Sequence, residues 1–132
     1  MHQSDKTRTL QLLNELRTIG KYKTGVHRPT FSDDDIEARK WVVQKLIDIG
    51  YKAEIDGIGN VFGKSPKSGK HLLSGSHLET QNYAGWLDGS LGVMFALEAA
   101  RILKDDVSLG ECGIDVVAFA DEETHFSPKF IG

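Results

Sequence analysis

One short apolar run, residues 114–120 (Ile-Asp-Val-Val-Ala-Phe-Ala), constrains the fold of this chain more than any other feature. A run of this length, rich in β-branched and aromatic residues, is typical of a buried strand. It leads directly into Asp121, Glu122 and Glu123. The run therefore predicts a core strand with an acidic cluster at its carboxyl end.

The rest of the chain alternates between helical and strand patterns. Apolar residues at three- and four-residue steps predict helices over residues 9–19, 32–50 and 90–103. Further strands are predicted over residues 51–56, 60–64 and 71–76, the first two as a hairpin, with a loop over 21–30. The residues expected to be buried in these elements are Ile36, Trp41, Val42, Leu46, Ile49, Leu72, Leu73, Val93, Leu97, Ala100 and Ile102.

Alternating strands and helices predict an α/β fold with a mixed, largely parallel sheet flanked by helices. Apolar residues make up 39% of the chain and charged residues 27%, which is ordinary for a globular protein. The 132 residues are therefore expected to form one domain.

Composition argues against several classes of function. The net charge of −3 offers no basic field for a nucleic acid. Cys112 is the only cysteine, so neither an intrachain disulfide nor a cysteine-rich zinc site is expected. No secretory signal pattern and no apolar stretch long enough to span a membrane is evident. We expect a soluble cytoplasmic protein without a nucleic-acid or membrane partner.

Groups suited to metal chemistry follow two of the predicted strands. His77, Glu79 and Asp88 come after one strand, and Glu122 and Glu123 after another. Ligand sites in open α/β sheets lie beyond the carboxyl ends of strands, and imidazole with carboxylate suits zinc, manganese or cobalt. One of the two adjacent glutamates can bind metal while the other acts as general base, and position alone leaves open which. A surface histidine and a solvated acidic loop are the simpler alternative.

The chain also resembles the M20-type family of metal-dependent peptidases and amidases, which contains N-carbamoyl-L-amino-acid hydrolases, allantoate amidohydrolases and β-ureidopropionases. The motifs that carry the resemblance are Gly25-Val26-His27-Arg28, Phe31-Ser32, Ala38-Arg39-Lys40-Trp41, Gly59-Asn60-Val61-Phe62-Gly63, Ser74-Gly75-Ser76-His77-Leu78, Leu87-Asp88-Gly89 and the segment 116–123. The resemblance covers nearly the whole chain and implies the amino-terminal part of a zinc-peptidase-like catalytic domain.

The resemblance implies roles for five residues. His77 and Glu123 would each bind one of two divalent ions (Zn, Mn, Co or Ni), and Asp88 would bridge them. Glu122 would be the general base. Glu79 stands where the family has aspartate, whose carboxylate orients the metal-bound imidazole, so Glu79 is the second catalytic candidate. The implied reaction is hydrolysis of a linear C–N bond in a small ureido or amide substrate, such as an N-carbamoyl-L-amino acid.

Family members are about three times as long and take further ligands from later segments. The lid and dimerisation domain is therefore expected to be absent here, activity of the isolated chain to be weak, and the full-length form to be a homodimer. Allantoate or a small peptide is an alternative substrate, and a non-catalytic paralogue is an alternative reading. His125 departs from the family pattern and is expected at the surface or as a polar contact near the site.

Overall fold

The computed structural model describes residues 4–129. In chain order the elements are α1 (Lys6–Leu16), β1 (Lys21–Tyr22), β2 (Gly25–Val26), α2 (Asp33–Asp48), β3 (Lys52–Ile55), β4 (Val61–Lys64), β5 (His71–His77), α3 (Ser90–Leu103), a 3-10 helix (Val107–Leu109) and β6 (Gly113–Phe119). Among these residues no helix combines the length and the apolar composition needed to cross a bilayer.

Four strands form a mixed sheet in the order β3-β4-β6-β5. β5 and β6 run parallel, with His77 beside Phe119, whereas the β3–β4 and β4–β6 pairs are antiparallel. The α/β class and the mixed sheet are confirmed, but the expectation of a largely parallel sheet is wrong for the described strands. The reason lies in the predicted hairpin, since a tight turn joins only antiparallel strands.

Capping explains where the helices begin and end. Ser32 accepts the N–H of Asp35 at 3.2 Å and starts α2, as predicted, and Gly50 follows the helix with φ +87°. The limits of α3 also match the prediction. The first helix begins at Lys6 rather than residue 9 because Asp5 accepts the N–H of Arg8 at 3.0 Å and caps it.

The three helices and the sheet share one core. It contains Leu13, Leu16, Ala38, Val42, Leu46, Tyr51, Val61, Leu78, Val93, Met94, Ala96, Leu97, Ala100, Val116 and Ala118. Trp41 and Ile49 are only partly buried against it, and Ile102 is half-buried. The prediction that Ile36 is buried is wrong, because the inward face of α2 carries Asp35, Ala38 and Arg39 and leaves Ile36 39% exposed.

Two further expectations differ from the structure. Leu72 and Leu73 are 73% and 55% exposed, because β5 is the edge strand of the described sheet and pairs only with β6. The predicted loop 21–30 contains the small hairpin β1–β2, whose Val26 also bridges to Ala84. That bridge holds the hairpin against the segment that follows His77.

Candidate metal centre

His77 is the last residue of β5, and its ring is fixed on two sides. Nδ1 lies 3.0 Å from the carbonyl oxygen of Glu79. Because a carbonyl only accepts, Nδ1 is the donor in this contact, and Nε2 is the nitrogen that faces the other side chains of the site. On another side the ring packs so closely on Gly89 that a Cβ added there would lie 2.5 Å from it. The orientation and the tautomer are those of a metal-binding histidine.

Three acidic side chains lie on the Nε2 side of this ring. Nε2 is 3.4 Å from Oε2 of Glu122 and 4.0 Å from Oδ1 of Asp88. Ligand atoms of His77, Asp88 and Glu123 all lie within 4.8 Å of one another. Ligands at about 2.0–2.2 Å from one tetrahedral zinc ion are about 3.3–3.6 Å apart. A shift of about 1 Å, within the reach of the exposed Asp88 side chain, therefore fits these groups to a divalent ion.

The two glutamates reach this point from the neighbouring strand. The segment after β6 turns sharply at Asp121, which has φ +57° and is fully buried. Gln81 donates through Nε2 to Oε2 of Glu123 at 2.8 Å, while the side chain of Glu122 is half-exposed. The parallel pairing of β5 and β6 thus brings His77, Asp88, Glu122 and Glu123 together as predicted. The role of each glutamate stays a prediction.

Glu79 is fully buried, and its carboxylate turns away from the histidine ring. Oε1 lies 3.9 Å from Nδ1 of His77, which is longer than a hydrogen bond. Oε1 instead accepts the backbone N–H of Glu122 at 2.6 Å, and Oε2 accepts from Arg39 at 2.9 Å. The carbonyl of Glu79, rather than its carboxylate, therefore makes the contact with His77.

Two buried arginines surround the site, and sequence reasoning did not assign a role to either. Arg28 donates to the carbonyl of Leu78 at 2.9 Å and to Oγ of Ser90 at 3.2 Å. Burial lowers the pKa of Arg28 to about 10, so the side chain stays charged at neutral pH. Arg39 occupies the inward face of α2. Its helical spacing from Val42 and Leu46 was the available signal that Arg39 faces the core.

The loop after the acidic cluster is held by Asp121. Its carboxylate accepts backbone N–H groups from His125 at 2.8 Å and from Ser127 at 3.0 Å. His125 is half-buried, and its Nδ1 lies 2.9 Å from Oγ1 of Thr30. His125 thus makes a polar contact that joins this loop to the segment before α2.

The chain is similar to one family model and to several known proteins. The model of the family described as Peptidase family M28 matches residues 58–127. Allantoate deiminase of Arabidopsis thaliana is 38% identical over 126 residues, which is 91% of this chain and 24% of that protein. N-carbamoyl-L-amino acid amidohydrolase of Geobacillus stearothermophilus is 32% identical over 120 residues, covering 88% of this chain and 29% of that protein.

A solved structure has the same fold. The crystal structure of an amidase of the hydantoinase/carbamoylase family from Burkholderia phymatum superposes with a TM-score of 0.91 at 44% identity, covering 96% of this chain and 31% of that one. The chain thus spans about a quarter to a third of the length of these relatives. The matched family model is labelled M28 rather than M20, but the relatives are the carbamoylases and allantoate hydrolases that the motifs predicted.

Proposed function

This chain belongs to Peptidase family M28 and is similar to allantoate deiminase and to an amidase of the hydantoinase/carbamoylase family, and from that premise we propose that it forms the metal-binding part of an amidohydrolase. Its substrate is a small molecule with a linear C–N bond in a ureido or amide group. The observation that carries the proposal is the His77 ring, whose Nε2 faces Asp88 and Glu122.

The position of each residue in the site suggests its role. His77 and Glu123 would each hold one of two divalent ions, and Asp88 would contribute a ligand to both. A divalent ion held there would polarise the substrate carbonyl and lower the pKa of a water molecule. Glu122 is half-exposed and 3.4 Å from Nε2 of His77, so its carboxylate lies beside the group that would hold this ion. As general base it takes a proton while the oxygen adds to the carbonyl carbon, and it returns the proton to the departing nitrogen.

The substrate class rests on the relatives. Their names specify allantoate and N-carbamoyl-L-amino acids, which share a ureido group. Hydrolysis of an N-carbamoyl-L-amino acid gives the amino acid, ammonia and carbon dioxide. A peptide is the alternative that the family description allows.

The test measures hydrolysis with each substrate class in the presence of zinc or manganese. N-carbamoyl-L-amino acids, allantoate and dipeptides are assayed by release of ammonia or free amino acid, on the chain and on any longer product of its gene. We expect ureido hydrolysis that falls by about 10²–10⁴-fold in Glu122→Gln. Glu37→Gln is the matched control, because it makes the same substitution at an exposed glutamate on α2, outside the site. Full activity of Glu122→Gln would exclude the mechanism.

A further inference from the structure

The guanidinium of Arg39 joins four parts of the chain just behind the metal centre. Its side chain is only 2% exposed. Nε donates to Oδ2 of Asp35 at 2.9 Å, one helical turn earlier on α2. NH1 donates to the carbonyls of Gly59 at 2.8 Å and Phe119 at 3.2 Å, and NH2 donates to Oε2 of Glu79 at 2.9 Å.

Glu79 extends this network to the metal centre through two different groups. Its main-chain carbonyl holds Nδ1 of His77. Its side chain holds Arg39 with one oxygen and the backbone N–H of Glu122 with the other, at 2.6 Å. The carboxylate therefore lies between a buried cation and the backbone of the proposed general base.

We propose that Arg39 is a positioning residue that acts through Glu79 to fix the backbone of Glu122. The inference rests on the proposed function only for the role of Glu122 as base. The contact with the carbonyl of Phe119 fixes the end of β6, and the contact with Gly59 fixes the turn before β4. Arg39 therefore helps to set where the chain leaves β6 toward the site. The side chain of Glu79 thereby positions the proposed base Glu122, and the main-chain carbonyl of Glu79 positions His77.

The chemistry of residue 79 restricts what can replace it. A carboxylate accepts on both oxygens, whereas a glutamine amide accepts on one side and donates on the other. Glu79→Gln therefore satisfies either Arg39 or the N–H of Glu122, but not both. Aspartate is one methylene shorter and cannot keep both contacts without a shift of the backbone. Lysine at position 39 keeps the charge but lacks the planar fork that reaches Asp35 and Glu79 together.

The first test observes the Glu122 backbone amide by NMR, without metal or substrate. In the unaltered chain we expect slow hydrogen exchange of this amide, although the side chain of Glu122 is half-exposed. In Arg39→Lys and in Glu79→Gln we expect exchange at least about tenfold faster. Arg8→Lys is the matched control, because Arg8 pairs with the buried Glu98 on another part of the fold. Fast exchange in the unaltered chain overturns the proposal even if no variant folds.

The second test separates positioning from general stability. In the active protein we expect Arg39→Lys to lower kcat by about 10–100-fold with little change in KM, Arg39→Met to lower it further, and Arg8→Lys to leave it unchanged. An unchanged kcat in folded Arg39→Lys, or equal losses in Arg39→Lys and Arg8→Lys, overturns the proposal. If the unaltered protein hydrolyses nothing, the proposed function fails, and the amide exchange alone decides whether Arg39 positions Glu122.

Discussion

At the scale of single residues, Gly89 combines an unusual backbone conformation with close contact to the candidate metal ligand His77. It has φ +67°, a conformation that L-residues adopt at a cost. It also lies against the ring of His77, where an added Cβ would be 2.5 Å from Cε1. A methyl group here must therefore displace the ring, Asp88 or both.

We predict that Gly89→Ala weakens zinc binding by at least about tenfold, because it moves a metal ligand from its position. Gly110→Ala is the control, since Gly110 also has positive φ (+55°) but nothing lies within 4 Å of its added Cβ. Both variants should lose about 1 kcal/mol of stability from backbone strain. Zinc titration by calorimetry separates them, and equal zinc affinities would show that the ring of His77 does not depend on this glycine.

The residues of the site differ in how much the sequence reveals about them. His77, Asp88 and Glu123 are predictable because each directly follows a recognisable strand or precedes a helix, and parallel strands share an edge. The contact made by Glu79 is not predictable, because the choice between its carbonyl and its carboxylate depends on Arg39, 40 positions away in the chain.

At the scale of elements, one buried carboxylate connects α1 to α3. Glu98 accepts from Arg8 at 2.6 Å, from the N–H of Asp5 at 3.0 Å and from Arg101 at 3.2 Å. Burial by itself raises the pKa of Glu98, but the hydrogen bonds from Arg8, Arg101 and Asp5 outweigh it and lower the pKa to about 2. A carboxyl group whose pKa is lowered by folding stabilises the protein above its unfolded pKa.

We predict that Glu98→Gln lowers the free energy of unfolding by about 1–3 kcal/mol at pH 7, because two arginines lose a charged partner. This contribution should disappear as the pH falls from about 5 to 2, the interval between the unfolded and folded pKa of Glu98. Urea unfolding across that range measures it, with the exposed Glu37→Gln on α2 as control. A gap between the two variants that persists at pH 2 would contradict this account.

The elements themselves were largely predictable, and the errors have physical causes. The strand 114–120 and the helix 90–103 are marked by apolar periodicity and form where expected. The sequence predicts too many parallel strands, because helices and strands alternate along it although the antiparallel hairpin β3–β4 interrupts that order. Leu72 and Leu73 are exposed rather than buried as predicted, because apolar composition does not reveal which strand lies at the edge of a sheet.

At the scale of the whole molecule, β5 combines an unpaired edge with exposed apolar side chains. Among the described strands it pairs only with β6, and Leu72 and Leu73 are 73% and 55% exposed. Neighbouring residues of a strand point to opposite faces, so each face of this edge carries one exposed leucine. Exposed apolar edges of this kind favour association between chains.

We predict that the 132-residue chain associates in a concentration-dependent way and that Leu72→Lys with Leu73→Lys reduces it, because charge on an edge strand opposes pairing. Val107→Lys is the control, since Val107 is 91% exposed but lies in the 3-10 helix. Sedimentation velocity over a concentration series measures the effect. The same association in the double variant would place the contact elsewhere.

The central claim is that His77, Asp88 and Glu123 hold divalent metal at the carboxyl ends of β5 and β6. X-ray absorption spectroscopy of the zinc-loaded protein tests it most directly. The account predicts a first shell of nitrogen and oxygen at about 2.0–2.2 Å with the scattering of one imidazole from this chain, and loss of that imidazole signal in His77→Gln. A shell unchanged by His77→Gln, or no zinc bound at all, would contradict it.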